Sequence, residues 1–237
     1  DDCQALVKGL FNHHAFRDRV ALSGVNSINW ARIVAQVTYY FVAAAALGAP
    51  HRRVSFAVPT GNFGDILAGY VAKRMGLPID QLIIAANSND ILARAVATGV
   101  YETRGVHATT SPSMDIQVSS NFERYLFDAA GRDPQVIRNQ MASLAQSGRF
   151  EIGAATPALQ REFTAAAASE AQVAAAITRT IAASGYVADP HTACGIVAAD
   201  AVGRSDGGAI VSLATAHPAK FPDAMQTITG TRPALPA

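Results

Sequence analysis

The sequence is poor in charge and poor in sulfur. Asp, Glu, Lys and Arg make up 16% of its 237 residues, and the formal net charge is only +1. A chain so balanced carries no electrostatic footprint for nucleic acid or for an anionic membrane, both of which call for clustered basic residues. Its two cysteines, Cys3 and Cys194, lie far apart and form no C-x-x-C, and six scattered histidines fall at no metal-ligand spacing. Neither a disulfide framework nor a metal site is expected, and the compartment is read as reducing and cytoplasmic. Long hydrophobic runs are also missing. The longest, "VTYYFVAAAALGA" at 37–49, is shorter than the roughly 20 residues that span a bilayer, and it reads as the end of a buried helix. No signal peptide is visible.

What is present is a globular composition. Half of the residues are apolar, which with this length supplies the core of one large α/β domain or two small ones. The chain opens at Asp1 inside an apparent helix without an initiator Met and closes on "GTRPALPA". The expectation is an internal piece of a longer protein.

Periodicity divides the chain into helices and buried strands. Cys3, Leu6, Val7, Leu10 and Phe11 lie on one face of a helix over 2–14. The polar break "LSGVNSIN" at 22–29 precedes a long, mostly apolar helix over 30–48. "RVSFAV" (53–58) and "QLIIAAN" (81–87) are β-rich runs, each followed by turn residues and then a helical pattern, near 65–75 and 89–99, the latter capped by Asn89 or Asp90. Strand, helix, strand, helix means right-handed crossovers and a parallel sheet flanked by helices, an α/β fold. Residues 101–123 are polar and irregular, the length of a functional loop or a lid. Helices follow near 134–146, 157–167, 170–185 and 191–204, the last opened by Asp189-Pro190. "GAIVSLAT" at 208–215 is the final strand, running through "AHPAKFPDA" into a terminal helix.

Three segments carry candidate chemistry. "GNFGD" at 61–65 joins a strand to a helix but is neither G-x-G-x-x-G nor G-K-[ST]. A glycine turn at a helix start aims backbone N–H groups at one point, where the helix dipole adds positive potential, and a phosphate is the natural guest. Gly61 and Gly64 can take positive φ and let a ligand approach the backbone closely. The same residues also make an ordinary strand-to-helix turn, with Asp65 capping the helix and ordering the loop. The last strand places Thr215 at its carboxyl end, with His217 and Lys220 beyond it. Thr215 can offer a hydroxyl to a ring nitrogen, and His217 and Lys220 can exchange protons; equally, they form a strand end, a helix start and a solvated lysine. In "VNSINWARI" (25–33), Asn26, Ser27 and Arg32 can grip an oxyanion, or constitute an N-cap with a surface arginine.

Together these segments resemble the threonine synthases, pyridoxal-phosphate enzymes of fold type II, the fold of the tryptophan-synthase β subunit. The resemblance is carried by "DDCQALVK", "NSINWARI", "VPTGNFGDILAGYVAKRMGLPI", "ANSNDIL", "SPSMDIQVSSNFERYLF", "GYVADPHTACG" and "TAHPAKFPDA", which follow one another across nearly the whole chain. It implies that residues 1–237 are a truncated, cofactor-binding large domain. Gly61, Asn62, Phe63, Gly64 and Asp65 would hold the phosphate of pyridoxal 5'-phosphate, and Thr215 would meet the pyridine nitrogen. Asn26, Ser27 and Arg32, with Asn62, would lie near the phosphate of the substrate, O-phospho-L-homoserine, which reacts with water to give L-threonine and phosphate. The family's Schiff-base lysine lies in a segment S-x-N-P-T-x-x-F-K-D followed by S-S-G-D-T-G, and neither occurs here. The lysines are Lys8, Lys73 and Lys220. Lys73 falls on a helix and reads as solvated. No catalytic residue is therefore assigned, and the chain by itself is expected to be inactive. The resemblance leaves oligomeric state open. It extends to two other readings: a threonine or serine dehydratase of the same fold, which needs no grip on a substrate phosphate, and a non-catalytic binder of phosphate ligands.

Overall fold

Four short strands form one parallel sheet in the order β5-β2-β1-β6. In the computed structural model, which describes residues 2–24, 26–203 and 208–236, these are β1 (Val54–Pro59), β2 (Ile79–Ala86), β5 (Phe163–Ala167) and β6 (Ala209–Ser212). β1 and β2 occupy the middle, and every residue of β1 is buried, as continuous apolar runs require when helices cover both faces. Alternation along the strands divides the core. Phe56, Val58, Leu82 and Ile84 join one cluster, while Ala57, Ile83 and Ala85 join the other.

On the first face pack α3 (Trp30–Ala46), α4 (Gly64–Arg74), α5 (Ile91–Thr98), α6 (Phe122–Ala129) and α8 (Thr156–Glu162). On the second pack α9 (Glu170–Ser184), α10 (Pro190–Val202) and α11 (Pro222–Thr229). Local signals set several helix starts. Asn29 caps α3 by accepting from the Ala31 N–H at 2.9 Å, and Ser169 with Gln172 forms a capping box on α9. Among the described residues, no helix is long and apolar enough to cross a membrane.

Several elements depart from the sequence reading. The stretch over 157–167, read as one helix, ends as α8 at Glu162 and continues as strand β5. "FTAAA" is alanine-rich, so propensity favours helix, but pairing with β2 from Leu82↔Phe163 to Ala86↔Ala167 prevails. The irregular stretch 101–123 begins in β3 (Val100–Glu102), paired antiparallel with β4 (Arg149–Glu151). It passes a 3-10 turn at Pro112–Met114 and enters α6 at Phe122; α7 (Pro134–Ser147) then leads to β4. The first helix breaks at His13 into α1 (Asp2–Asn12) and α2 (His14–Arg19), and its apolar face is open, with Leu6 66% exposed. α3 is not a buried helix. It buries only the stripe Ile33, Val37, Tyr40 and Ala44, while Trp30 and Val42 stand 52% and 69% exposed on the other side.

Candidate functional site: a polar cup at the start of α4

β1 ends at Pro59, and the chain turns through Thr60–Phe63 into α4 at Gly64, at the carboxyl edge of the sheet where α/β proteins collect ligands. The left-handed residue in this turn is not a glycine. Neither Gly61 nor Gly64 has positive φ; Phe63 does, at 62°. Its ring holds it there. The side chain is fully buried among Phe122, Phe163 and Tyr125, at centroid distances of 5.2, 5.4 and 6.2 Å. An anchor this large over-determines a conformation that costs a non-glycine residue of order 1 kcal/mol. Gly61 is needed for another reason: a Cβ there would lie 2.7 Å from the Ser113 carbonyl oxygen.

The turn encloses a pocket of about 130 Å³. Since about 10–15 Å³ of such space takes a water, it has room for a small polyatomic anion. One wall is Thr60 through Asp65; the other is Ser27, Arg32 and Gln36, the last two on α3. The pocket thus joins a helix N-terminus, a guanidinium and neutral polar side chains, the donor set of an anion site. Residues that the resemblance divides between two phosphates, 61–65 on one side and Ser27 with Arg32 on the other, line this one pocket.

Asp65 does not cap α4. It sits in the first turn, and the N-cap, Phe63, makes no side-chain cap bond. The Asp65 carboxylate instead accepts from the Tyr40 hydroxyl at 3.3 Å, and the same hydroxyl donates to the Asp65 carbonyl at 2.8 Å. Burial pushes the Asp65 carboxyl up to about 6, more than the Tyr40 bond pulls it back. Burial and the neighbouring carboxylate both push the Tyr40 phenol well above its ordinary value. Below about pH 6 the protonated carboxyl adds no negative charge to the pocket; above it the carboxylate opposes an anion.

A second group supports the cup from behind. His191 Nε2 accepts from the Ser113 N–H at 3.2 Å, so the proton lies on Nδ1, which donates to Asp189 at 3.0 Å. Burial alone would raise the Asp189 carboxyl, but bonds from His191 and Thr192 outweigh it and hold the group below its ordinary value. Asp189 and His191 thereby hold the main chain of Ser113 by its N–H, and Gly61 packs against the carbonyl of that residue. Sequence reading identified Asp189 only as a helix start.

The other candidate residues lie outside the pocket lining. Asn26 is exposed, and its Oδ1 accepts from the Ile28 N–H at 3.2 Å. Thr215 is exposed three residues past Ser212, because β6 stops earlier than the sequence implied. β6 pairs with β1 through Ala57↔Ser212, so Thr215 and Thr60 leave adjacent strands at the same edge. His217 accepts from the Ala219 N–H at 3.2 Å and caps a 3-10 turn containing Lys220, which is exposed. Lys73 is not simply solvated: its Nζ pairs with Glu162 at 2.8 Å. The Lys8 side chain lies outside the described structure. Among the described residues, no lysine lines the pocket.

Known proteins share both sequence and architecture. A family described as "Threonine synthase, C-terminal" matches residues 192–237. The crystal structure of PLP-bound threonine synthase from Brucella melitensis is 58% identical with a TM-score of 0.95, covering 100% of this chain and 51% of that one. Threonine synthase from yeast is 40% identical with a TM-score of 0.87, covering 97% and 49%. The threonine synthase of Pseudomonas aeruginosa is 48% identical over 239 residues, which is 100% of this chain and 51% of the relative. The chain therefore spans about half the length of the relatives it matches. Aligned with them from end to end and built on the parallel-sheet architecture of fold type II, it belongs to the threonine synthase family.

Proposed function

We propose that this chain supplies the phosphate-binding part of a pyridoxal 5'-phosphate-dependent threonine synthase, acting on O-phospho-L-homoserine and water to give L-threonine and phosphate. The carrying observation is the single pocket in which residues 61–65, at the start of α4, face Ser27 and Arg32. In this reading Gly61, Asn62, Phe63, Gly64 and Asp65 take the cofactor's phosphate on one wall. Ser27 and Arg32 take the substrate's phosphate on the other, with Asn26 at the margin. The fit to a phosphate rests on the donor set: the N-terminus of α4, the Arg32 guanidinium and the neutral polar side chains of the lining.

When bound, the cofactor supplies an electron sink that eases loss of protons near the substrate's amino-bearing carbon. The chain's own residues bind and orient. The Arg32 guanidinium is suited to the leaving phosphate, whose charge grows as the C–O bond breaks. The exposed Thr215 hydroxyl, at the same sheet edge, is assigned to the ring nitrogen. A hydroxyl there favours the unprotonated ring. The Schiff-base lysine is not assigned to this chain, whose Lys73 is committed to Glu162. The whole chain is read as a portion of one cofactor-binding domain, working in the cytoplasm on small molecules and without nucleic acid.

Calorimetry with O-phospho-L-homoserine and L-homoserine tests the assignment. The phosphorylated ligand should bind the parent chain at least tenfold more tightly, and Arg32→Ala should abolish that preference. Equal binding of the two ligands, or a preference untouched by Arg32→Ala, would contradict it and favour the dehydratase reading.

A further inference from the structure

The segment just before α6 touches both walls of the cup through its main-chain oxygens. The Ser119 hydroxyl donates to the Gly61 carbonyl at 2.7 Å. The Asn121 backbone N–H donates to the Asn62 carbonyl at 3.0 Å. The Asn121 side-chain Nδ2 donates to that same carbonyl at 3.0 Å and to the Ser27 carbonyl at 2.8 Å. One amide group thus ties residue 62 to residue 27, one from each wall. Its orientation is settled by its partners: the flipped amide would set an oxygen against two carbonyl oxygens. Asn121 is fully buried, and its Oδ1 has no hydrogen-bond partner. The site therefore accepts an unsatisfied buried acceptor in exchange for the two donors of Nδ2, a trade that packing alone would not require.

We infer that Asn121, assisted by Ser119, is a positioning residue for phosphate: it sets the separation of the two walls and turns the Gly61 and Asn62 carbonyls away from the anion. The inference rests on the anion-site reading of the pocket. A carbonyl facing a phosphate repels it, so holding two carbonyls outward matters as much as presenting donors inward. Asp in place of Asn at 121 keeps the shape but replaces the donor amide with an acceptor facing two carbonyls. Ser119→Ala removes one small buried hydroxyl and is the milder change.

The test is a 31P NMR titration of the full chain with inorganic phosphate, for the parent, Asn121→Asp, Asn121→Ala and Ser119→Ala, with thermal melting of each. The parent should bind phosphate. The two Asn121 variants should weaken binding at least tenfold and Ser119→Ala about threefold, in protein that melts cooperatively. A purely structural role would lower the melting temperature while leaving the Kd of the folded protein unchanged, and that result overturns the inference. Should the Asn121 variants fail to fold, Ser119→Ala decides alone: an unchanged Kd overturns the inference, a weakened one supports it. A parent chain that binds no phosphate overturns the anion-site reading itself.

Discussion

At the scale of single residues, Asp65 carries the sharpest consequence. Its carboxyl is raised to about 6 chiefly by burial, so the folded state holds its proton more tightly than the unfolded chain does. The sign follows from linkage: the stability contributed by the protonated form is complete below the ordinary carboxylate range and is lost as pH rises through about 6. Asp65→Asn, which keeps an acceptor for Tyr40, should therefore be more stable than the parent at pH 8, by about 3 kcal/mol, and by only about half as much at pH 5. Urea denaturation at the two pH values checks this; a gap that is equal at both would refute it. The titratable group bonded to this carboxyl is Tyr40, on α3. Gly61 and Phe63 divide a task that a single glycine often performs. Gly61 permits the close approach to Ser113, and Phe63 takes the left-handed turn under the grip of three aromatic rings.

At the scale of elements, the long connection after β3 is tied down by a buried polar network. Asn87 is fully buried, and its Nδ2 reaches Asp115 at 2.7 Å, Thr109 at 2.9 Å and the Ser111 hydroxyl at 2.9 Å. Asn89 reaches Asp115 at 3.0 Å and accepts from the His107 N–H at 2.9 Å. Asn87→Ala should leave these acceptors short of donors, cost about 1–3 kcal/mol, and speed amide exchange at His107 and Thr109 more than in β1. Uniform exchange across both regions would count against the network as the fastener. What was legible in the sequence follows from the range of each signal. The GNFGD turn, strands β1 and β2, and most helices are written in neighbouring residues, as glycines, apolar runs and caps. Strand β5 was not legible, since its alanines become a strand only by pairing with β2. Nor was the Tyr40–Asp65 contact, 25 residues apart, or the Asn121 ties to Asn62 and Ser27, 59 and 94 residues away. Those partners are chosen by the fold, so local reading gave Asp65 a capping role that the structure gives to no side chain.

At the scale of the whole molecule, the sheet places three separate stretches of chain at one edge: the turn after β1, the approach to α3, and the exit from β6. The first two close the pocket, while Thr215 on the third is exposed. The outward sides of α1 and α3 carry Leu6, Trp30 and Val42 in the open, in a chain that spans about half the length of its relatives. The central claim is that the cup at the start of α4 holds the cofactor by its phosphate, independently of any bond to a lysine. Equilibrium dialysis of the chain against pyridoxal 5'-phosphate and against pyridoxal, with borohydride omitted, tests it most directly. The account predicts retention of the phosphorylated form at least tenfold more tightly than pyridoxal, a difference of about 1.4 kcal/mol or more. Equal retention of the two compounds would contradict it.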